Sequence, residues 1–555
     1  MNAYEKIAEL LYPNIKNTPE YYFKKYPKRN LRPEQVVSRY APSPTGFMHI
    51  GNFFQMFIAY NLTRVTDGVM ILRVEDTDSK REKEGALDVI YEILNRFGIK
   101  FNEYQTLAGE DVGEYGPYVQ SQRTEIYQTF AKYLVSIGRA FPCFCKKTEG
   151  KEDVLKLRET KWMEVDDKEY DPCRDLSYDE VKKHIDNGDE FAIRFKTSNT
   201  GTERLTFNDL IKGDIEAKAN AKDFVILKTD GIPPYAFAHA VDDTLMGTTI
   251  AVRGEEYISS TPAHIELFDA LGFKRIQYCH NPLICKLDEK TGNRRKISKR
   301  SDPEADMRYY FREGYPIDSV LEYLLNIINS DFEDWRKNNL TAPWQDFKFG
   351  VNDISAKSPL FDLVKLNDVS KNLISRMTAE EVYDNVLAWA KEYDLEFYDI
   401  LSANKDYAIK VFDIDRGGDK PRKDIAKWSD VKTYFDYMFL DYENLNINLE
   451  KYDKIDNEKI CTIINKYAED FDANLDKNEW FMSVKGLADA SGFCTDNKLY
   501  KQNPEMYLGN TADFCGLIRV CITGKENSPD LYAICKVLGQ EELLRRAKIL
   551  SDRLK

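Results

Sequence analysis

Residues 35–74, QVVSRYAPSPTGFMHIGNFFQMFIAYNLTRVTDGVMILRV, decide the fold of this chain. The start, Gln35–Tyr40, is β-branched and alternates as a strand does, and the two prolines and the glycine of 41–46 force a turn after it. From Gly51 apolar residues recur at the spacing of a helix face, and 69–74 is a second run of near-continuous hydrophobicity. A strand, a tight turn, a helix and a strand in this order predict a parallel βαβ unit in an α/β domain.

Two hydrophobic runs far downstream, Phe224–Lys228 and Thr249–Arg253, have the character of buried strands. If both lie in the same sheet as the first unit, residues of about 140 to 220 form an insertion between two halves of one domain.

The C-terminal third has a different pattern. Beyond about residue 365 strand-like runs are rare, and amphipathic helical stretches predict an all-α region. Ser528-Pro529 has the pattern of an N-cap followed by proline at the first helical position, and Gly539 fits the end of that helix.

Composition and charge set the broad class. The length of 555 residues favours roughly three to five domains, and no apolar run approaches the ~18 residues of a membrane helix. A net charge of −14 argues against a protein that coats nucleic acid, but it leaves room for a local basic surface. Ten cysteines without regular spacing, and an N-terminus without the pattern of a signal peptide, favour a reducing, cytoplasmic compartment.

The turn before the first helix is a natural anion site. Residues 42–51 lie between a strand and a helix N-terminus, where free backbone N–H groups and the helix dipole both favour a phosphate. His49 at the helix entrance offers a side-chain donor. The alternative is that His49 only caps the helix or packs against it.

A second candidate is the basic stretch Lys286–Arg300, with seven basic and two acidic residues. A mobile loop here, carrying Lys296 and Lys299 three residues apart, would clamp a transferring phosphoryl group or a pyrophosphate. The alternative is a solvated run of charges.

Two motifs taken together resemble the signatures of class I aminoacyl-tRNA synthetases: His49-Ile50-Gly51-Asn52 after the first strand, and Lys296-Ile297-Ser298-Lys299-Arg300 far downstream. Further blocks, in the expected order, resemble the glutamyl-tRNA synthetases of bacterial type. These blocks are Arg39–Gly46, Leu72–Asp78, Gly116–Arg123, Val241–Asp243, Val252–Tyr257 and the ending from Cys521 to Gly539. The resemblance covers residues 36–555. Asn52 stands where many class I enzymes carry a second histidine, and it cannot become a cationic donor.

The resemblance implies ATP-dependent ligation of L-glutamate to tRNA(Glu) through a glutamyl-adenylate, with transfer to the terminal adenosine of the tRNA. The implied fold is α/β, a class I synthetase Rossmann-like parallel sheet split by an insertion and followed by an all-α anticodon-binding region. The implied domains are an N-terminal extension (1–35), the first half of the catalytic domain (36–138), an inserted acceptor-binding domain (139–222), the second half with the KISKR loop (223–300), a stem-contact segment (301–365) and the α-helical anticodon-binding region (366–555).

The resemblance also implies roles for individual residues. Glutamate is expected to contact Arg39, Ala41, Ser43, Glu75, Tyr235 and Arg253. The two arginines suit carboxylates through paired N–H donors, and Glu75 suits the ammonium group. ATP, with Mg²⁺, is expected at Pro44, His49, Gly51, Asn52, Lys296, Ser298 and Lys299, of which His49, Lys296 and Lys299 are the expected catalytic residues. His239, four residues after Tyr235, either tunes glutamate recognition or is a buried histidine with internal partners.

Three cysteines resemble the zinc site that some family members carry in the inserted domain. Cys143, Cys145 and Cys173 have the residue type and spacing of a tetrahedral zinc site, with Tyr170 or Asp175 as the fourth ligand. The alternative is three buried thiols without metal.

The helical C-terminal region is the expected anticodon reader. Lys420–Lys423, followed by Trp428, combines guanidinium and aromatic groups as single-stranded base recognition does, and Arg422 is the expected base contact. A solvated charge cluster is the alternative.

Other functions remain open at this point. Within the family these are a glutaminyl enzyme or a short paralogue that modifies a tRNA base, and outside it a silent tRNA-binding relative or a simple nucleotidylyltransferase. The expected partners are tRNA(Glu), L-glutamate and ATP, with no membrane, and the expected state is a monomer.

Overall fold

The computed structural model describes residues 1–44, 46–77, 83–145, 172–288, 290–418 and 421–555. The chain divides into two compact units, which are described separately below. One contains residues 1–309 and 324–362, and the other contains residues 310–323 and 363–555. None of the helices in the described ranges is long and apolar enough to cross a membrane.

The strands of the described residues, in chain order, are β1 (Val37–Tyr40), β2 (Val69–Leu72), β3 (Tyr104–Gln105), β4 (Asp111–Val112), β5 (Ala140–Cys143), β6 (Ala192–Phe195), β7 (Arg204–Asp209), β8 (Gly213–Lys218), β9 (Phe224–Leu227), β10 (Ile250–Gly254), β11 (Gln277–Asn281), β12 (Cys285–Leu287) and β13 (Arg294–Lys296). The helices of the described residues up to position 338 are α1 (Ala3–Leu11), α2 (Pro19–Lys25), α3 (Ile50–Val65), α4 (Ala86–Arg96), α5 (Thr124–Ser136), α6 (Tyr178–Asp186), α7 (Tyr235–Leu245), α8 (Thr261–Ala270), α9 (Arg308–Glu313), α10 (Ile317–Ile328) and α11 (Asp331–Asn338).

The predicted βαβ unit is confirmed. β1 and β2 pair in parallel, starting with Val37 opposite Val69, and α3 connects them. β10 lies beside β1, as the hydrogen bond of 2.9 Å from the Thr249 N–H to the Val37 carbonyl shows. β10 in turn pairs in parallel with β11, starting with Ile250 opposite Gln277. The two parallel pairs, β1-β2 and β10-β11, meet at β1 and β10, and the carboxyl ends of their strands lie along one edge, where open parallel sheets bind their ligands.

The hydrophobic run Phe224–Leu227 does not lie in this sheet. As β9 it pairs antiparallel with β6, which pairs with β5 in a separate three-stranded sheet. A short, fully apolar run fits either sheet, so hydrophobicity alone does not choose between them. β9, which follows the predicted insertion, therefore forms a sheet with two strands of that insertion, β5 and β6.

Residues 1–35 pack on the catalytic unit. Ile7, Ala8 and Leu11 of α1 and Tyr22 of α2 are buried in the same hydrophobic cluster as α5. After α2, Arg29 makes paired hydrogen bonds of 2.7 Å to the carboxylate of Glu103. Arg29 also donates to the Met246 carbonyl at 2.7 Å and lies 3.8 Å from the ring centre of Tyr115. The N-terminal extension is therefore packed into the core of the first unit.

Among the described residues from position 363, the second unit contains helices and no strand, as predicted. Its helices there are α12 (Leu363–Ile374), α13 (Ala379–Tyr393), α14 (Leu395–Ala403), α15 (Lys405–Phe412), α16 (Asp430–Tyr434), α17 (Asp436–Phe439), α18 (Asn457–Asp470), α19 (Lys477–Ala490), α20 (Asn497–Gln502), α21 (Thr511–Thr523) and α22 (Leu531–Leu554).

The last helix differs from its prediction in one detail. Asp530, not Ser528, is the N-cap of α22, and its side chain accepts the Ala533 N–H at 3.0 Å. Gly539 interrupts the helix with φ 77° and ψ 161°, so it ends a first helical segment as expected, and a second segment follows it directly.

Candidate active site

A cavity of about 130 Å³ brings the two sequence motifs together. His49, Gly51 and Asn52 line it from the start of α3, and Lys296 and Ile297 line it from the end of β13. The remaining lining residues are the apolar Phe54, Pro282, Leu283 and Ile284 and the polar Gln55, Glu256 and Asn281. Apolar walls beside cationic side chains suit a ligand with a flat base at one end and phosphates at the other.

His49 caps the helix that begins at the cavity. Its Nδ1 accepts the Gly51 N–H at 2.9 Å, so His49 is the N-cap of this helix. Burial, together with the charges of Lys299 and Lys296, lowers the pKa of His49 to about 4. The imidazole is therefore neutral near pH 7, and its second nitrogen carries the proton that a ligand oxygen can accept.

Part of the basic stretch forms a hairpin, whose strands are β12 and β13, and residues 297–300 with Lys299 follow it. β12 and β13 pair antiparallel, with Cys285 opposite Lys296. Arg295 then fixes the chain after β13 through two hydrogen bonds of 2.6 Å to Asp302. This pairing holds Lys296 beside the cavity.

Beyond the hairpin, the KISKR motif contacts the turn that follows β1. The Ser298 N–H donates to the Asp302 carboxylate at 2.8 Å, and the Lys299 ammonium donates to the Phe47 carbonyl. Burial and the charges of Arg308 and Lys83 lower the pKa of Lys299. In the same turn the buried Pro44 accepts the Lys83 N–H at 3.0 Å.

Three of the predicted glutamate contacts converge on one point. The Tyr235 hydroxyl lies 3.5 Å from Nη2 of Arg39 and 3.5 Å from Nη1 of Arg253. Both arginines are buried, with 4% and 3% of their surface exposed. They stand at the carboxyl ends of β1 and β10, which are neighbours in the sheet. Two buried guanidinium groups around one hydroxyl are matched to a small ligand with two carboxylates.

The other predicted contacts lie next to this pair. Glu75 follows β2, and its carboxylate accepts from Nη2 of Arg73 at 3.1 Å. Its N–H donates to the Pro42 carbonyl at 2.9 Å, which places Glu75 beside the turn that contains Ala41 and Ser43. Burial raises the pKa of Glu75.

A buried ionic network beneath this pocket was not predicted from the sequence. Asp243 accepts from Arg39 at 3.0 Å and from Arg73 at 2.5 Å, and the adjacent Asp242 accepts from Arg123 at 2.7 Å. All five residues have 4% or less of their surface exposed. Although burial alone would raise it, Arg39 and Arg73 hold the pKa of Asp243 well below its usual range. The sequence did contain a signal for this network: an arginine inside an apolar strand and two aspartates inside an apolar helix. Charged residues in such buried positions require partners of opposite charge.

His239 is fully buried and has internal partners. Its Nδ1 lies 2.6 Å from the Asp243 carboxylate, its Nε2 lies 3.2 Å from the Tyr278 hydroxyl, and its ring stacks on Tyr235. Burial and the charges of Arg253 and Arg39 lower its pKa to about 4, against the opposing effect of Asp243. His239 thus supports the pocket wall from behind.

This lowered pKa predicts a pH dependence of stability. Below about pH 6.5 the unfolded chain binds a proton at His239 that the folded chain does not bind, so this group makes the folded state less stable as the pH falls toward 4. We expect the free energy of unfolding to fall less between pH 7.5 and pH 5.5 in His239→Asn than in the original chain. Urea unfolding at the two pH values measures this, with His184→Asn, outside the pocket, as the control. Equal slopes in His239→Asn and the original chain would contradict the assignment.

The three predicted zinc cysteines lie together. The sulfur atoms of Cys143, Cys145 and Cys173 are within 4.8 Å of one another, and those of Cys145 and Cys173 are 3.7 Å apart. Of the two predicted fourth ligands, Tyr170 lies outside the described residues. Asp175 is paired with Lys196 at 2.6 Å instead, and 76% of its side chain is exposed.

The predicted anticodon contact, Arg422, is engaged by protein groups. Its guanidinium pairs with Asp424 and donates to the Ser528 carbonyl at 3.2 Å and to the Tyr434 hydroxyl at 3.3 Å. Trp428 is only 4% exposed, so the expectation that it adds an aromatic surface for a base is wrong. These contacts use three of its five N–H groups, and 32% of its side chain is exposed.

Comparison with known proteins gives two family matches. Residues 35–355 match the model for the catalytic domain of class I tRNA synthetases (E and Q), and residues 510–550 match an anticodon binding domain. A glutamate–tRNA ligase of Clostridium perfringens (strain SM101 / Type A) is 45% identical over 554 residues, with 98% of this chain and 99% of that protein covered. One from Acetivibrio thermocellus is 43% identical over 553 residues, covering 99% and 100%.

A solved structure supports the fold. The crystal structure of a glutamate tRNA ligase from Elizabethkingia meningosepticum, in complex with its amino acid, superposes with a TM-score of 0.73 at 23% identity. The match covers 94% of this chain and 100% of that one.

Proposed function

This chain belongs to the glutamate and glutamine group of class I tRNA synthetases, and on that basis we propose how its own residues carry out the reaction. The reaction is the ATP-dependent ligation of L-glutamate to tRNA. The proposal concerns the roles of the residues in the two adjacent sites, the ion in the thiol cluster and the reading of the tRNA.

We assign the glutamate to the pocket around Tyr235. The observation that carries this assignment is the convergence of Arg39 and Arg253 on the Tyr235 hydroxyl at 3.5 Å each. The substrate has two carboxylates and one ammonium group, and the pocket offers two guanidinium groups and the carboxylate of Glu75. Ala41 and Ser43 would form its floor.

We assign ATP, with Mg²⁺, to the cavity between α3 and β13. The adenine base suits the apolar wall of Phe54, Leu283 and Ile284, and the phosphates suit the side of His49 and Lys296. Pro44, Gly51, Asn52 and Ser298 would shape the backbone around them. Attack of the glutamate α-carboxylate on the α-phosphorus breaks the bond to the bridging oxygen, forms glutamyl-adenylate and releases pyrophosphate. Lys296 and Lys299 then stabilise the charge that develops on the leaving pyrophosphate.

The second half of the reaction joins the glutamyl group to the terminal adenosine of tRNA(Glu), with release of AMP. The domain boundaries predicted above, including the acceptor-binding insertion at 139–222 and the anticodon reader at 366–555, are part of this proposal. Arg422 is kept as the proposed base contact. The proposal also includes a monomer, which sedimentation velocity tests, and a cytoplasmic location, since ATP, glutamate and tRNA meet there.

The substrate assignment is tested by aminoacylation. We expect transfer of glutamate, and no transfer of glutamine, to purified tRNA(Glu), and Arg253→Gln is expected to lower kcat/KM for glutamate by about 100-fold, because it removes a buried charge that faces a carboxylate. Arg275→Gln, which removes an exposed arginine paired with Asp269, is the control and keeps normal kinetics. Glutamine transfer by the original chain would indicate the glutaminyl enzyme instead. The same assay with tRNA(Gln) shows whether that tRNA also receives glutamate.

The three clustered thiols support a zinc ion. Zinc bound tetrahedrally by thiolates at about 2.3 Å places its sulfur ligands about 3.8 Å apart. The 3.7 Å between Cys145 and Cys173 fits this spacing. Such an ion would be structural, joining the end of β5 to residue 173, with Tyr170 as the proposed fourth ligand because Asp175 is paired elsewhere.

Elemental analysis tests the zinc proposal. We expect one zinc per chain in protein folded with zinc present, and its loss in Cys173→Ser. Cys461→Ser, in α18 of the other unit, is the control and keeps the metal. Absence of zinc from the correctly folded original chain would leave three buried thiols as the explanation.

A further inference from the structure

Arg253 differs from the other buried arginines of the pocket in its partners. Its three nitrogens donate to neutral groups: Nε to His280 Nε2 at 2.9 Å, Nη1 to His264 Nδ1 at 2.9 Å and Nη2 to Thr261 Oγ1 at 2.8 Å. Among the described residues none of the ion pairs includes Arg253, whereas Arg39 is paired with an aspartate. Arg253 is therefore a buried guanidinium with no directly paired carboxylate among the described residues.

The direction of this guanidinium is fixed by its acceptors. A guanidinium has five N–H groups, and three of them are used by His280, His264 and Thr261. The second N–H of Nη1 faces the Tyr235 hydroxyl at the long distance of 3.5 Å, and Nη2 keeps one further N–H. Two such donors match the two oxygens of a carboxylate.

His280 is an acceptor because Asp209 holds its proton on the other nitrogen. The Asp209 carboxylate lies 2.7 Å from Nδ1 of His280 and accepts the backbone N–H of the same residue at 3.0 Å. Its other oxygen accepts the N–H groups of Ile211 at 3.0 Å and Lys212 at 2.9 Å. Four donors thus face one carboxylate, and with Nδ1 protonated, Nε2 of His280 has a lone pair for Arg253.

We propose that Asp209 and His280 are positioning residues that fix the orientation of Arg253 for a carboxylate of the substrate. Asp209 ends β7, in the segment inserted between the halves of the parallel sheet, and it lies opposite Tyr278 of β11. The insertion therefore supplies a side chain that acts on the amino-acid pocket through one intermediate residue. This proposal rests on the assignment of Arg253 to glutamate made above.

Asp209→Asn tests the proposal with almost no change in volume. An amide has one acceptor oxygen, whereas the carboxylate has two. If the NH₂ group turns toward Ile211 and Lys212, it faces their two N–H groups. If it turns toward His280, it faces the backbone N–H and forces the imidazole to place its proton on Nε2. That proton would then face the Nε–H of Arg253. We expect KM for glutamate to rise about ten-fold, the loss typical of one misaligned hydrogen bond to a charged group, with KM for ATP and for tRNA within two-fold of normal.

A pair of variants at the next residue separates positioning from structure. His280→Gln keeps an acceptor oxygen and His280→Met does not, although the two side chains are similar in size. We expect His280→Gln to restore most of the glutamate affinity that His280→Met loses, with similar melting temperatures for both. If Asp209→Asn fails to fold, this pair decides the question by itself.

Steady-state aminoacylation with glutamate, ATP and tRNA varied in turn measures all variants, with Arg253→Gln alongside. If Arg253→Gln leaves KM for glutamate unchanged, the assignment of Arg253 fails and the positioning proposal fails with it. If Arg253→Gln raises it but Asp209→Asn and His280→Met do not, only the positioning proposal is overturned. A rise in all three KM values together would show a structural role and would also overturn it.

Discussion

Lys299→Ala is expected to lower kcat for glutamate transfer by about 100- to 1000-fold, the usual loss when one preorganised donor to a developing charge is removed. Lys299 follows the hairpin that lines the nucleotide cavity, and its ammonium contacts the Phe47 carbonyl in the turn after β1. In the proposed assignment of ATP, Lys299 is therefore close to the place where pyrophosphate would leave. Alanine removes the charge but leaves the contacts of Arg295 with Asp302 intact.

Lys290→Ala is the matched control, because it removes an exposed lysine from the turn of the same hairpin. Single-turnover formation of glutamyl-tRNA separates the chemical step from product release. The loss for Lys299→Ala is expected in that step, with KM for glutamate little changed. Near-normal turnover of Lys299→Ala, or an equal loss in Lys290→Ala, would contradict the catalytic assignment.

Asp243→Asn destabilises the catalytic unit by about 3–5 kcal/mol, because it leaves buried positive charge without its partner. Asp243 is fully buried, accepts from Arg39 and Arg73, and lies 2.6 Å from Nδ1 of His239. Asparagine has no negative charge and only one acceptor oxygen. Because Arg39 also lines the amino-acid pocket, a rise in KM for glutamate is expected in protein that still folds.

Urea unfolding, followed separately for the two compact units where their transitions resolve, measures this loss. Asp269→Asn is the control, since Asp269 and Arg275 form an exposed pair of a kind that contributes less than about 1 kcal/mol. A loss for Asp243→Asn no larger than for Asp269→Asn would show that the network adds little to stability.

Local sequence patterns were sufficient to predict the first βαβ unit and the helical C-terminal region. In both, the signal is the period of apolar residues within one element, and this period does not depend on distant partners. The sheet that β9 joins was not predictable in this way, because pairing with β6 is a choice between distant strands that a fully apolar run fits equally. The hairpin of residues 285–296 was missed for a related reason: its strands are polar and short, so their pairing leaves little trace in the sequence.

The candidate site was predicted only in part. Arg39, Tyr235 and Arg253 were named from the family motifs, and the structure brings them together. The groups that hold them, such as Asp209 and His280, were not named. Their roles depend on which residues from separate strands meet at one edge of the sheet, and sequence spacing carries no record of that. For Trp428 a predicted role was wrong. Its position near charged residues in the sequence suggested an exposed aromatic ring, but tertiary packing buries it.

The N-terminal extension shows that the limits of a family and the limits of a folding unit are different things. The catalytic family match begins at residue 35, yet Ile7, Ala8, Leu11 and Tyr22 before it are buried in the same core as α5. A chain cut at the family boundary would therefore expose the apolar flank of α5 to water and leave the Glu103 carboxylate without Arg29. The segment that matches the family and the segment that forms one folding unit thus have different limits.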